Sequence, residues 1–379
     1  MQAAKSISRK NRHLSQSWIW TRSNREAWVY LEDNWYVAAW SDEVGASLFA
    51  RTLLDQPIVM YRKLDDTVIA LEDRCAHRRL PLSEGRLIDD QIHCGYHGLV
   101  YDCSGACVHV PGQIRIPRGA RTRAYPVVER DQFIMVWLGD PERADPDKIV
   151  SFPRLSDPTW GFNKVRLYVK ANYLLIFDNL LDLSHVAYVH NTTIGNAPVA
   201  EDAVITMAQD GNNVSVSREM VDVPAAPNYA QFGPYQGNFD RWQIGRYIYP
   251  SYFYINNGCA AANSGNGDDS RLEAAGEWGF QVYHGITPET EKTTHQFWVI
   301  AHDLDMIAGR DRPEFYRQHH HVIGEDVVMY EAQQKSLDSD PSGASAYDVQ
   351  SHAVIQADTG LMLARKTINQ MYQDMGTRT

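Results

Sequence analysis

The sequence predicts an α+β protein in two parts: an all-β N-terminal domain, then a larger domain in which helices pack on an antiparallel sheet. Three observations carry this. Short β-rich runs separated by turn formers fill the chain to about residue 150. An Asp- and Pro-rich stretch follows, from Gly139-Asp140-Pro141 through Asp157-Pro158, and reads as a linker. Beyond it, long strand-like and helix-like blocks are mixed. A chain of 379 residues is too long for one ordinary core and supports two.

Residues 1–27 read as a basic arm. The stretch 1–25 has no Asp or Glu and carries Lys5, Arg9, Lys10, Arg12, Arg22 and Arg25. It lacks the continuous apolar core of a signal peptide. Residues 28–150 make the first domain. Its strands are expected at Trp35-Tyr36-Val37-Ala38-Ala39-Trp40, at Pro57-Ile58-Val59-Met60-Tyr61, and over 67–72 and 132–138, all rich in β-branched and aromatic residues. Gly85, Asp89-Asp90, Ser104-Gly105 and Pro111-Gly112 supply the turns. Residues 151–379 make the second domain. Helices are expected over 171–189, 311–337 and 351–375, and strands over 203–220 and 247–300. The run Ala262 to Asp269 reads as a loop.

Composition excludes several classes. The formal charge of −11 argues against a broad nucleic-acid surface, which needs clustered Lys and Arg. No apolar run approaches the ~20 residues that span a bilayer. Five cysteines, an odd count without a secretion signal, argue against a disulfide framework and for a reducing, cytoplasmic setting.

The chemistry begins at Cys75-Ala76-His77 and Cys94-Gly95-Tyr96-His97-Gly98. Two thiolates and two imidazoles in short loops suit one metal site, either zinc or an iron–sulfur cluster. The order separates them. Zinc fingers usually pair like with like, whereas each loop here supplies one Cys and one His. A Rieske [2Fe–2S] cluster needs that arrangement, with both Cys on one iron and both His on the other. Gly95 and Gly98 are expected to let the backbone approach the sulfides. Cys103 and Cys107 read as packing residues, and His93 and His109 as structural.

A second constellation lies in Asp178-Asn179-Leu180-Leu181-Asp182-Leu183-Ser184-His185-Val186-Ala187-Tyr188-Val189-His190. Buried carboxylates and imidazoles are costly unless paired or metal-bound, so this helix serves a polar interior site. On an ideal helix Asp182 and His185 share a face and can hydrogen-bond. His185 and His190 reach one metal only if the helix widens or ends between them. His319-His320-His321 reads as a solvated helix face.

Residues 75–97 resemble the fingerprint of Rieske-type non-haem iron oxygenases, and the resemblance extends over roughly residues 30–375. It implies a helix-grip catalytic domain after the Rieske domain. It implies Cys75, His77, Cys94 and His97 as cluster ligands. The mononuclear Fe(II) would be held by His185, His190 and a late helical Asp, best matched by Asp326, with Glu325 and Glu331 as neighbours. Asn179 and Asp182 would be catalytic. Asp182 would bridge a Rieske histidine of a neighbouring subunit to His185 within a head-to-tail homotrimer. O₂ is the implied co-substrate. Electrons would come from NAD(P)H through a separate flavin and iron–sulfur reductase or a ferredoxin.

The resemblance is nearest to the branch that demethylates or hydroxylates aromatic acids, such as vanillate and dicamba monooxygenases. Its signals are Asn34 to Ala39, the Asp178–His190 block, Tyr283 to Thr290 and Glu331-Ala332-Gln333-Gln334. His284 falls where a related enzyme holds a carboxylate. The amide partner falls at Ile255, with Asn256 beside it, and Tyr252 is a candidate for the aromatic lining. The expected activity is O-demethylation or monohydroxylation of a small, carboxylated aromatic. The other readings are a ring cis-dihydroxylating dioxygenase, a Rieske electron carrier without oxygen chemistry, and a zinc protein.

Overall fold

In a computed structural model the described residues are 30–265, 278–347 and 355–376. The basic arm, residues 266–269 of the expected loop and the start of the last expected helix lie outside them. In the N-terminal part, β1 (Asn34–Trp40) pairs with β11 (Phe133–Leu138), which pairs with β10 (Val127–Arg130). A second sheet orders β2 (Phe49–Leu53), β3 (Gln56–Arg62), β4 (Val68–Glu72) and β9 (Ala124–Tyr125). A small third sheet, β5 (Arg86–Ile88), β6 (Gln91–His93), β7 (Val100–Tyr101) and β8 (Cys107–His109), carries the second Cys/His loop between β6 and β7, and the first loop joins β4 to β5. These last strands are two or three residues long, too short for periodicity to reveal them in the sequence.

The expected linker holds three single turns, Pro141–Arg143, Pro146–Lys148 and Pro153–Leu155, each with proline at its start. The catalytic part is one seven-stranded antiparallel sheet. Its order is β12 (Trp160–Val169), β18 (Thr293–Asp303), β17 (Trp278–Thr290), β16 (Tyr252–Ala261), β15 (Asn238–Ile248), β14 (Asn213–Pro224) and β13 (Val204–Asp210). The strand-like run over 203–220 is a hairpin, turned at Gly211 with φ +55. Shorter helices α2 (Val186–Val189), α3 (Ala197–Glu201) and α4 (Pro227–Phe232) fill connections.

Three longer helices grip the sheet. Helix α1 (Tyr173–Leu181) is capped by Asn172, whose side chain accepts the Leu174 N–H at 2.9 Å. It buries seven of its nine residues. Helix α6 (Thr359–Gly376) ties to it through Arg365, whose guanidinium donates to both oxygens of Asp178 at 2.7 and 2.6 Å. Helix α5 (Arg312–Asp338) starts at Asp311, which accepts the Glu314 N–H at 3.0 Å. Its buried stripe is Phe315, His319, Val322, Ile323, Asp326, Tyr330 and Gln334. The spacing is that of one helix face, yet three members are polar.

The two parts share a core. Trp35, Val37 and Trp40 of β1 pack with Tyr252, Tyr283, Phe297 and Val299 of the large sheet. A Cβ on Gly285 would lie 2.5 Å from a Val37 methyl, so only glycine lets these strands approach so closely. Backbone bonds from Leu54 and Asp55 to Pro288 and Glu289 extend the junction at 2.9 and 2.8 Å.

Candidate functional site

Each Cys/His loop is closed by its own backbone. In the first, the Cys75 N–H donates to Leu80 O at 2.8 Å and the Arg79 N–H to Cys75 O at 2.9 Å. In the second, the Cys94 N–H donates to Leu99 O at 2.8 Å and the Gly98 N–H to Cys94 O at 3.1 Å. Gly98 is needed for its φ of +72, and Gly95 because a Cβ would sit 2.5 Å from the Glu84 carbonyl oxygen. Turn geometry and loop interlock already require these two glycines.

The ligating groups form two unlike pairs. Cys75 and Cys94 are buried, whereas His77 and His97 are exposed with ring centroids 4.6 Å apart. Burial pushes the Cys94 thiol up, against the backbone N–H groups of Tyr96 and His97 that face its sulfur. Tyr101, fully buried, accepts the Ala76 N–H at 2.9 Å and lies 3.2 Å from the Cys75 sulfur, so against a cluster-bound thiolate its own proton would point at sulfur. An inner thiol pair ringed by donors and an outer imidazole pair fit a two-iron cluster, not one tetrahedral ion. Tyr101 was not singled out from the sequence. Its spacing from His97 carries no signal without the β7 register. Cys107 is buried, but Cys103 is exposed and packs nothing, because it sits in the turn before β8.

The second constellation forms where a helix breaks. Helix α1 stops at Leu181, and Asp182 then caps a tight turn, Leu183–His185, by accepting the Ser184 N–H at 2.9 Å. Asp182 and His185 therefore do not meet as side chains on one helix face. The contact is His185 Nδ1 donating to the Asp182 backbone carbonyl at 2.6 Å, which leaves His185 Nε2 facing inward. After α2, His190 terminates the helix with its own Nε2 turned to the same point.

There His185, His190 and Asp326 place one ligand atom each within 4.8 Å of one another. Asp326 Oδ1 is 3.1 Å from His190 Nε2 and 3.4 Å from His185 Nε2. Burial alone would raise the Asp326 carboxyl, but the two imidazoles hold it at about 2. His190 Nδ1 is fixed by Glu325 Oε2 at 2.8 Å, so Glu325 orients a ligand rather than joining the trio. Glu331 faces away and accepts the Lys170 N–H at 2.9 Å. Asn179 donates to Asp326 Oδ1 at 3.3 Å. Two imidazoles and one carboxylate with an open side are the donor set of non-haem Fe(II) oxygenases, so the residues present fit that ion.

The trio opens on a largely apolar pocket between α1, α5 and the sheet. Leu180, Val186, Ile255, Phe280, Val282 and Trp298 are among its lining. His284 lines it too, nearly fully buried. The Gln296 amide donates to Nδ1 at 3.1 Å, leaving Nε2 as a donor without a partner. Burial drops the His284 imidazole to about 3, so it is neutral.

Three expectations fail here for one reason, side-chain direction. Asn256 and Tyr252 sit on the opposite face of β16 from Ile255 and Asn257, the pocket residues. Tyr252 instead donates to Trp35 O at 3.1 Å in the interdomain core. His319 is not solvated. It is buried on the α5 stripe, lines the pocket, and is lowered to about 4 by burial.

A cluster-binding β domain joined to a histidine–histidine–carboxylate pocket defines a class: the oxygenase component of a multicomponent Rieske non-haem iron system. The comparisons agree. Residues 34–125 match the Rieske [2Fe–2S] domain and residues 169–374 the vanillate O-demethylase oxygenase C-terminal domain. The chain belongs to the vanillate O-demethylase oxygenase family. It is 35% identical to the toluene-4-sulfonate monooxygenase system iron–sulfur subunit of Comamonas testosteroni, over 90% of this chain and 97% of that one. It is 34% identical to the vanillate O-demethylase oxygenase subunit of a Pseudomonas strain, over 90% and 95%. The crystal structure of dicamba monooxygenase with non-haem iron and dicamba superposes with a TM-score of 0.74 at 26% identity, covering 93% of this chain and all of that one. The chain is thus a Rieske oxygenase with a [2Fe–2S] cluster and a mononuclear iron. An electron carrier or zinc protein is set aside. No helix among the described residues is long and apolar enough to cross a membrane.

Proposed function

We propose that this oxygenase O-demethylates or monohydroxylates a small aromatic acid, with electrons delivered by a separate NAD(P)H-dependent reductase or a ferredoxin. The observation that carries the reading is the trio His185, His190 and Asp326 at the mouth of an apolar slot that holds unpaired polar atoms. In this reading Cys75, Cys94, His77 and His97 hold the cluster, and His185, His190 and Asp326 hold the iron. Bound iron supplies the reduction of O₂. The chain's own residues do the rest. Asn179 steadies the Asp326 carboxylate, Glu325 and the Asp182 carbonyl fix the two imidazoles, and apolar side chains exclude water from the ring.

A head-to-tail homotrimer completes the arrangement, with Asp182 meeting a Rieske histidine of a neighbouring copy. The bonding of Asp182 supports this reading. Its Oδ1 takes both Arg218 Nη2 at 3.0 Å and the Ser184 N–H, leaving Oδ2 for a donor from outside the chain. Relatives that act on vanillate, dicamba and toluene-4-sulfonate support an aromatic substrate.

The test is a single turnover. Chemically reduced holoenzyme is mixed with 4-methoxybenzoate and O₂. Demethylation converts ether, O₂, two electrons and two protons to 4-hydroxybenzoate, formaldehyde and water. Equal amounts of phenol and formaldehyde are expected. Peroxide alone, across a panel of methoxy- and methylbenzoates, would contradict the proposal.

A further inference from the structure

Four arginines are buried among the described residues: Arg51, Arg218, Arg241 and Arg365. Three of them face a carboxylate. Arg51 meets Glu43 at 3.0 Å, Arg218 meets Asp182 at 3.0 Å and Arg365 meets Asp178 at 2.6 Å. This is the ordinary rule, since a charge taken out of water needs a counter-charge. Arg241 breaks it. It is 2% exposed and lines the iron pocket, yet no carboxylate of the described residues pairs with it. Nη2 donates to Ile194 O at 2.9 Å, and the guanidinium lies 4.3 Å over the Tyr229 ring. Nε and Nη1 have no partner.

The neighbours on the same face extend the donor set. Gln243 follows Arg241 on β15, and Asn257 stands opposite it on β16. The Gln243 amide nitrogen donates to Asn257 Oδ1 at 3.4 Å, which leaves the Asn257 amide nitrogen as a further donor. Both residues line the pocket. Across the sheet, the row Arg241–Cys259–Trp278 is one end of a series. The next rows are Gln243–Asn257–Phe280 and Gly245–Ile255–Val282, and the last is Tyr247–Phe253–His284. The slot therefore has a cation at one end, apolar side chains in the middle and a neutral imidazole at the other.

We infer that Arg241 is the anion-binding end of the substrate site, and that it takes an oxyanion group, carboxylate or sulfonate, carried by an aromatic substrate. This rests on the aromatic-oxygenase reading above. It moves charge recognition away from His284, which can offer only a neutral hydrogen bond. The missing counter-charge of Arg241 is then the substrate's own. Arginine stays ionised at any working pH and donates equally to planar carboxylate and tetrahedral sulfonate oxygens.

The experiment is anaerobic calorimetry on the reduced holoenzyme with three ligands of similar shape: 4-methoxybenzoate, 4-methoxybenzenesulfonate and neutral 4-methoxybenzamide. The wild type should bind one or both anions about 100-fold more tightly than the amide, and the tighter anion identifies the oxyanion. In Arg241→Gln that preference should collapse to within about threefold, while amide affinity, the Rieske spectrum and mononuclear iron content stay unchanged. Arg241→Lys should keep most of the preference, which guards against a folding defect in the first variant. No anion preference in the wild type, or a preference that survives in Arg241→Gln, would overturn the assignment. Equal weakening of all three ligands would make Arg241 a brace for the Ile194 turn and would overturn it too. Turnover in the same samples separates the two proposals: an anion bound through Arg241 but never oxidised counts against the demethylation reading alone.

Discussion

The cluster site takes all four ligating side chains from two short loops, one between β4 and β5 and one between β6 and β7, within Cys75 to His97. The iron trio draws on a broken helix near His185 and on Asp326 of α5, and the pocket adds strands β15 to β18. Local turns make the first site: each loop closes on its own backbone, so ligand spacing in sequence is ligand spacing in space. Long-range register makes the second: a residue's chemistry matters only once the sheet decides which way it points. The first site is readable from a few residues, and the second is readable only where a helix stripe carries polar groups it has no other reason to bury.

The largest expected effect isolates the second site from the first. Asp326→Ala should lose the mononuclear iron and all turnover while keeping both cluster irons and the Rieske absorption, read by metal analysis and visible spectroscopy. Retained mononuclear iron would shift the ligand role to Glu325. Next, Asp182→Asn should leave both centres loaded but slow turnover by roughly 10- to 100-fold, the value of a charge-assisted hydrogen bond. Stopped-flow oxidation of the cluster reads it, and a normal rate would remove the bridging role.

The register argument gives the third test. Asn257→Ala should raise KM by about five- to tenfold, one hydrogen bond's worth, whereas Asn256→Ala, on the other face, should leave KM alone. The reverse pattern would mean the β16 register is shifted. In the cluster loops, Tyr101→Phe removes a hydroxyl donor from the Cys75 sulfur. The cluster potential should fall by on the order of 50 mV, by protein-film voltammetry.

A final effect separates the domains by acid stability. Burial lowers His295 and His319 to about 4 in the catalytic part. Their unfolded value is near 6.5, so in that window the unfolded chain binds more protons. Their stabilisation is full above pH 6.5 and is lost as pH falls toward 4, at about 1.4 kcal/mol per pH unit for each. Thermal melts should drop across this window. His295→Gln combined with His319→Gln should flatten the slope, and an unchanged slope would contradict these neutral imidazoles.

The same contrast explains what the sequence could tell. Strands at Trp35–Trp40, Pro57–Tyr61 and 132–138 carried enough β-branched and aromatic residues to be placed, as did the proline-poor α5. The short strands β5 to β8 did not. Asp326 was reached through the resemblance, which implies a late helical Asp, and the buried stripe of α5 now gives its physical place; His319 was misjudged because its two histidine neighbours suggested a solvated run. Asn256 was named because it stands beside Ile255, and sequence spacing alone does not show that adjacent strand residues face opposite ways. Arg241 gave no local sign: its significance is the carboxylate it lacks, which only the folded neighbourhood reveals.

The central claim is that two different iron centres share one chain. Mössbauer spectroscopy of protein loaded with ⁵⁷Fe tests it most directly. The account predicts cluster iron and a separate high-spin ferrous signal in a ratio of about 2:1, with the ferrous signal lost in Asp326→Ala. Cluster iron alone in the wild type, or a ferrous signal untouched by that substitution, would contradict it.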